Sequence, residues 1–194
     1  MNKGSSRQWM HRHVNDHYVQ QARIQKYRSR SAFKLLEINT RFNLLRPGMR
    51  VIDVGAAPGG WSQIIAEKVE SQKGEETVVA ADLLEMVPVP GVKLVQGNIK
   101  DEATQEKVSE CLDFQKAHLV CSDAVPDFMG DRFVDHMRTV DLNKEVLRFC
   151  AKNLEPGGTL LMKIIQGPAE KELSEFATHL FKSLQRVKPS ASRN

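Results

Sequence analysis

Apolar residues recur along the chain in short runs that alternate with longer amphipathic stretches. The short runs predict five buried strands, at Met49–Val54, Thr77–Ala81, Val92–Gln96, Ala117–Ser122 and Thr159–Ile165. Apolar residues at near-helical spacing predict helices over residues 31–45, Trp61–Val69, Asp101–Leu112, Val140–Leu154 and Ala169–Leu184, with a short extended piece around Arg186–Lys188. Strands that alternate with helices are typical of an α/β fold with a doubly wound, mostly parallel sheet.

The length and the cysteine pattern exclude several classes of protein. A chain of 194 residues fits one domain, or one domain with an arm. We predict a basic helical arm over residues 1–30 and a domain over residues 31–194. No apolar run approaches the ~20 residues of a membrane-spanning helix. The chain has only three cysteines, with no CxxC pair, which argues against a disulfide scaffold or a zinc ribbon and favours a reducing compartment.

Positive charge is concentrated at the start of the chain. Residues 1–50 carry eleven Lys and Arg against two acids, a net charge of +9, whereas the remainder carries −5. A basic segment on a mildly acidic body favours a polyanionic partner such as RNA, DNA or an anionic membrane. A presequence or a solvated tail would also be basic. Aromatic and apolar residues such as Trp9, Tyr18 and Ile24 run through this segment, and they favour an ordered helical arm.

Candidate ligand-binding residues follow the first three predicted strands. The turn from Gly55 to Gly60 is built from small residues, which let a backbone approach a ligand closely, and it leads into a helix N-terminus. It matches neither GxGxxG nor the P-loop, and a mere tight connection would look similar. Asp82 could accept hydrogen bonds from ribose hydroxyls or cap a helix. Asn98 could contact an adenine edge or simply shape a turn.

Three further polar residues suggest a reactive centre. Lys163 lies within the apolar run LLMKII, where an ammonium group must find a carboxylate or reach solvent from a sheet edge. If the fourth and fifth strands are neighbours, Asp123 and Lys163 stand side by side and could handle a proton. Lys34, on the helix after the arm, is the third candidate.

Specific motifs give the chain a family resemblance. They include YRSRSAFKL from Tyr27 to Leu35, DVGAAPGGWSQ from Asp53 to Gln63, Ser122-Asp123, Pro156-Gly157-Gly158, and Lys188-Pro189 with Ser192-Arg193. Together they resemble the FtsJ-type ribosomal RNA 2′-O-methyltransferases, which use S-adenosylmethionine on a Rossmann-like fold. The motifs extend through nearly the whole chain.

The resemblance assigns roles residue by residue. Lys34, Asp123 and Lys163 match the first three members of a Lys-Asp-Lys-Glu set, in which Lys163 corresponds to the general base on the ribose 2′-hydroxyl. Seven residues match cofactor-contacting positions or lie in the same loop: Pro58, Gly59, Gly60, Trp61, Asp82, Asn98 and Asp123. Arg28 and Arg30 are expected to grip the RNA backbone. His11, His13 and His17 lack partners at metal-ligand spacing, so no metal site is predicted.

The sequence also departs from the family pattern. Asn98 stands where the family has an acid, and the loop after Asp123 reads Ala-Val-Pro-Asp instead of Met-Ala-Pro-Asn. The family's fourth catalytic residue, a Glu on the final strand, has no counterpart before Asn194, so we expect a domain truncated before that strand.

The resemblance implies an enzyme that methylates a uridine 2′-hydroxyl in large-subunit ribosomal RNA or in the pre-ribosomal large subunit. We expect a monomer with no membrane partner, in mitochondria or alternatively in a bacterial cytoplasm. A non-catalytic RNA-binding assembly factor on the same fold is the main alternative. A nicotinamide or flavin enzyme is disfavoured because GxGxxG is missing.

Overall fold

The structure is a computed structural model that describes residues 16–192. In this part of the chain five strands alternate with helices. The strands are β1 (Val51–Val54), β2 (Val78–Asp82), β3 (Val92–Gln96), β4 (Ala117–Ser122) and β5 (Leu154–Met162). The helices are α1 (His17–Ile24), α2 (Ala32–Phe42), α3 (Gly60–Val69), α4 (Glu102–Cys111), α5 (Arg132–Asn153) and α6 (Glu170–Thr178).

All neighbouring strands of the sheet are parallel, in the order β3-β2-β1-β4-β5. The chain therefore builds outward from β1 in one direction and then returns to place β4 on its other side. The point where the order reverses lies between β1 and β4, and ligands in open α/β sheets bind beyond the strand ends at this point. The prediction of a doubly wound α/β fold is confirmed.

Helices cover both faces of the sheet because successive strand side chains point to opposite sides. On one face, Val51, Leu119 and Cys121 pack against α2 and α3. On the other face, Ile52, Val54 and Val120 pack against α4 and α5. All four residues of β1 are buried, as expected for a parallel sheet covered on both sides. One of these four, Asp53, is an acid.

The structure corrects the bounds of several predicted elements. Helix α5 begins at Arg132, eight residues earlier than predicted, because the Asp131 carboxylate caps it by accepting hydrogen bonds from the Phe133 and Val134 backbone N–H groups. Strand β5 begins at Leu154, earlier than predicted, because it pairs with β4 through a register shift between Ala117 and Leu119. It ends at Met162 and leaves Lys163 just beyond it. The segment around Arg186–Lys188 forms no strand, and α6 ends at Thr178.

The arm packs against the rest of the domain. Val19 and Ala22 of α1 are buried, and Arg30 forms an ion pair with Asp16 at 3.1 Å. The segment near the end of the chain also contacts this region, because Ser190 donates its backbone N–H and its hydroxyl to the Glu37 carboxylate. These bonds lower the pKa of Glu37. Residues 1–15, including His11 and His13, lie outside the described part, and the arm boundary at residue 30 stays a prediction.

No helix within residues 16–192 is long and apolar enough to cross a membrane.

Candidate active site

Asp123 and Lys163 meet where β4 and β5 end. Ser122 is aligned with Met162 in the parallel register, so the next residue on each strand, Asp123 and Lys163, are neighbours. The Lys163 Nζ lies 2.8 Å from the Asp123 Oδ1 and also donates to the Asp123 backbone carbonyl. The Lys163 backbone N–H continues the strand pairing by donating to the Ser122 carbonyl at 2.8 Å. The pair is therefore held by backbone as well as by charge.

Lys34 approaches the same carboxylate from helix α2. Its Nζ is 3.9 Å from the Asp123 Oδ1. Leu35 and Ile38 on the buried side of α2 anchor the helix against the sheet. The side chains of Lys34, Asp123 and Lys163 are each about one-fifth to one-quarter exposed. The three residues singled out in the sequence are thus brought together in a cluster that a substrate can reach, while their catalytic roles stay predictions.

The turn after β1, residues 55–60 (the glycine loop), lies beside this cluster. Gly55 has a φ of +72°, and a Cβ added there would lie 2.4 Å from the Ala124 Cβ and 2.5 Å from the Ala124 Cα. Gly55 therefore allows the glycine loop to pass directly against the residue that follows Asp123. Gly59 adopts a φ of +102° and caps α3, whose first turn leaves backbone N–H groups without helical partners.

Asp82 ends β2 and braces the glycine loop. Its Oδ2 accepts a hydrogen bond from the Ala57 N–H at 2.9 Å, and its Oδ1 accepts one from the Leu84 N–H at 2.8 Å. No helix follows β2 in the described structure, so Asp82 is not a helix cap. Each carboxylate oxygen keeps a further lone pair, which could accept from ribose hydroxyls.

The side chains of Asn98 and Trp61 both bond within the protein. The Asn98 side-chain carbonyl accepts from the Lys100 N–H at 3.1 Å, which is a turn contact. The Trp61 indole is buried and donates to the Ser31 carbonyl at 2.8 Å. Any contact from Trp61 to a cofactor would therefore come from its backbone at the start of α3.

Asp53 is a site residue that the sequence reasoning missed. It is fully buried, its Oδ2 accepts from the Ser62 hydroxyl at 2.6 Å, and its Oδ1 has no hydrogen-bond partner in the structure. Burial, and secondarily the Asp123 and Asp82 carboxylates, raise its pKa from 3.8 to about 7. An acid inside the run MRVIDV was the available signal, since apolar strands rarely contain one without a reason.

Replacing Asp53 with asparagine should make the protein more stable at neutral and alkaline pH. The folded wild type keeps the Asp53 proton up to about pH 7, whereas the unfolded chain releases it near pH 4, so its free energy of unfolding falls between about pH 4 and pH 7 and is level above that. At about 1.4 kcal/mol per pKa unit, the full loss is on the order of 4 kcal/mol. Denaturant unfolding of both proteins at pH 4, 5, 6, 7 and 8 measures it. A difference in free energy of unfolding between Asp53→Asn and the wild type that does not grow with pH would contradict the raised pKa of Asp53.

The two arginines that are predicted to contact RNA both bond to other groups within the protein. Arg30 donates to the Ala191 carbonyl at 2.7 Å and pairs with Asp16. Arg28 donates to the carbonyls of Pro58, Val87 and Pro88. Their contact with RNA stays a prediction, but each first serves to hold the arm in place.

Three acids, Asp53, Asp82 and Asp123, lie around the glycine loop. The carboxylates of Asp82 and Asp123 are close enough to Asp53 to raise its pKa. Lys34 and Lys163 pair with Asp123 and offset part of this negative charge. Within residues 16–192 no group of three His, Cys, Asp or Glu side chains could hold a metal ion.

Comparisons with known proteins agree with this geometry. A family model for FtsJ-like methyltransferases matches residues 27–194. The chain is 46% identical over 191 residues to ribosomal RNA large subunit methyltransferase E of Brucella ovis, covering 98% of this chain and 79% of that protein. The protein of the same name from Brucella abortus matches with the same identity and coverage.

Solved structures with a similar fold include a further ribosomal RNA methyltransferase. A crystal structure of that enzyme from Plasmodium falciparum matches with a TM-score of 0.75 and 27% identity, covering 84% of this chain and 91% of the other. A hemolysin from Streptococcus thermophilus matches with a TM-score of 0.51 and 20% identity over 71% of this chain and 44% of the other, a likeness that shows the fold alone.

Proposed function

The chain belongs to the FtsJ-like methyltransferase family, and we propose that it transfers a methyl group from S-adenosylmethionine to the 2′-hydroxyl of a uridine in large-subunit ribosomal RNA. The observation that carries this proposal is the Lys34–Asp123–Lys163 cluster beside the glycine loop, at the switch point of the sheet. The names of the Brucella relatives support ribosomal RNA as the substrate.

The cofactor would lie across the carboxyl ends of β1 and β2. The glycine loop and the first turn of α3 would contact it with backbone N–H groups, and Asp82 would accept from its ribose hydroxyls. Asn98 would donate to or accept from its adenine. When bound, S-adenosylmethionine supplies a methyl group on a positively charged sulfur, which is a good leaving group.

The polar cluster would align and deprotonate the acceptor. Asp123 would hold the Lys163 side chain against the acceptor ribose. Lys163 would orient the 2′-hydroxyl toward the methyl group and would take up its proton as the carbon–sulfur bond breaks, with the electron pair of that bond left on the sulfur. Alignment of this kind can lower a barrier by about 7–11 kcal/mol in ideal cases, and proton transfer contributes about 10²–10⁴-fold. Lys34 would balance the charge of Asp123 or contact a phosphate.

Exposed apolar side chains beside the cluster would meet the RNA bases. The loop from Ala124 to Asp131 exposes Phe128 and Met129, and the buried Asp135 carboxylate holds this loop by accepting from the Met129 and Gly130 N–H groups. Aromatic faces on a fixed loop are typical platforms for unpaired bases. The basic arm would contribute salt-sensitive contacts to the RNA backbone.

A methyl-transfer assay tests the proposed function directly. Purified protein, tritium-labelled S-adenosylmethionine and large-subunit ribosomal RNA or undermethylated subunits should yield RNA labelled at the 2′-oxygen of a uridine. Calorimetry with S-adenosylhomocysteine should show binding at the same site. RNA binding without any transfer would instead favour a non-catalytic assembly factor. Since the Brucella relatives are bacterial, the predicted mitochondrial location needs its own test by cell fractionation.

A further inference from the structure

The segment between α1 and α2, residues 26–31 (the latch segment), packs against two loops that flank the proposed cofactor site. One is the glycine loop, and the other is the loop between β2 and β3, residues 83–91. The Arg28 guanidinium connects them, since one nitrogen donates to the carbonyls of Pro58 and Val87 and the other donates to the Pro88 carbonyl at 2.5 Å. A single side chain of the arm therefore spans both loops.

The glycines of the loop are required by this packing. A Cβ on Gly59 would lie 3.1 Å from the Arg28 Cδ and 3.2 Å from the Val89 side chain, and a Cβ on Gly60 would lie 2.1 Å from the Ser29 Oγ. The latch segment thus touches the backbone of the glycine loop directly. The loop's small residues accommodate the arm as well as any ligand.

Helix α3 is tied to the same segment. The Gln63 side chain accepts from the Arg28 N–H at 3.3 Å and donates to the Lys26 carbonyl at 3.1 Å. The Trp61 indole donates to the Ser31 carbonyl. The start of α3, which would present N–H groups to the cofactor, is therefore fixed from the arm side.

We infer that Arg28 is a positioning residue that couples the arm to the cofactor site, so that RNA binding on the arm and cofactor binding strengthen each other. This inference rests on the proposed function. The loop between β2 and β3 has no helix or strand, and its Leu83, Leu84 and Val87 side chains are exposed. Side chains of the domain bond to its two ends, at Leu83, Leu84 and Gly91, whereas Arg28 bonds to its middle, at Val87 and Pro88. A coupling of this kind is reciprocal by thermodynamic necessity.

The full bridge uses both terminal nitrogens of the arginine. One nitrogen donates to the carbonyls of Pro58 and Val87 on the two loops, and the second donates to the Pro88 carbonyl, in the planar arrangement of a guanidinium. A lysine keeps the positive charge, and with it a phosphate contact, but it has a single nitrogen, so it loses at least one of these three contacts. Arg28→Lys therefore separates the bridging role from a simple RNA-binding role.

The test compares Arg28→Lys and Arg28→Ala with Arg23→Ala, a control that removes an exposed charge from the same arm. Calorimetry with S-adenosylhomocysteine, in the absence of RNA, should show about tenfold weaker binding for both Arg28 variants and no change for Arg23→Ala. Proteolysis after Glu85, in the middle of the β2–β3 loop, should be several-fold faster in Arg28→Lys. In the wild type, RNA should raise the affinity for S-adenosylhomocysteine, and Arg28→Lys should reduce that gain.

The outcomes separate this inference from the proposed function. Wild-type ligand affinity and wild-type cleavage at Glu85 in both Arg28 variants would overturn the inference alone, and weaker RNA binding in Arg28→Ala would then make Arg28 an RNA contact only. A wild-type protein that does not bind S-adenosylhomocysteine would remove the proposed function and the inference together. Circular dichroism of each variant identifies a general loss of folding.

Discussion

Lys163→Ala is expected to reduce methyl transfer by about 10²–10⁴-fold while leaving cofactor affinity within a few-fold of wild type. The Lys163 Nζ is 2.8 Å from Asp123, and in the proposed function it receives the proton of the 2′-hydroxyl. The hydrogen bond and the ion pair of its side chain are both with Asp123 and not with the glycine loop. Single-turnover transfer and calorimetry with S-adenosylhomocysteine measure the two quantities separately.

Two further lysine variants sharpen this test. Lys163→Arg keeps the positive charge but cannot accept a proton, so it should be as inactive as alanine if Lys163 is the base. Substantial activity in Lys163→Arg would show that charge and orientation suffice. Lys144→Ala is the matched control, because Lys144 is a similarly half-buried lysine paired with Glu172 at 2.5 Å outside the site. Near wild-type turnover in Lys163→Ala would refute the catalytic assignment.

Gly55→Ala is expected to destabilise the protein by about 3 kcal/mol or more and to abolish cofactor binding in the fraction that folds. The new Cβ would meet the Ala124 backbone at 2.5–2.8 Å, and the positive φ adds strain for any residue with a side chain. Relief of this collision requires the glycine loop to separate from the residue next to Asp123. Denaturant unfolding and calorimetry measure the two effects.

Gly48→Ala isolates the contribution of the backbone angle. Gly48 has a similar φ of +76°, but a Cβ there has no other atom within 4 Å. This variant should cost only about 1–2 kcal/mol and should leave ligand binding intact. Equal losses of stability in Gly55→Ala and Gly48→Ala would mean that the close approach of Gly55 to Ala124 does not contribute to the loss.

Local patterns in the sequence determine much of this molecule. The strands follow from short apolar runs, and β3 and β4 have the predicted bounds. Residues that follow parallel strands converge at the carboxyl edge of the sheet, so the sequence alone was enough to place Asp123 beside Lys163. The bounds of α5 and β5 were less predictable, since one depends on the Asp131 cap and the other on a register shift against β4.

Only the tertiary structure decided what several of these residues do. From the sequence, Arg28 and Arg30 are expected to contact the RNA backbone. In the fold, their guanidinium groups bond to carbonyls that are distant in the sequence, at Pro88 and Ala191. From the sequence, Gly60 is expected to let the backbone approach a ligand closely. In the fold, the Ser29 side chain occupies the space where a Cβ on Gly60 would lie. Sequence patterns report residue type and local periodicity, which determine strands, helices and candidate chemistry. Groups that are far apart in the sequence meet only when the helices and strands pack together. This packing depends on the whole core, so local patterns do not report it.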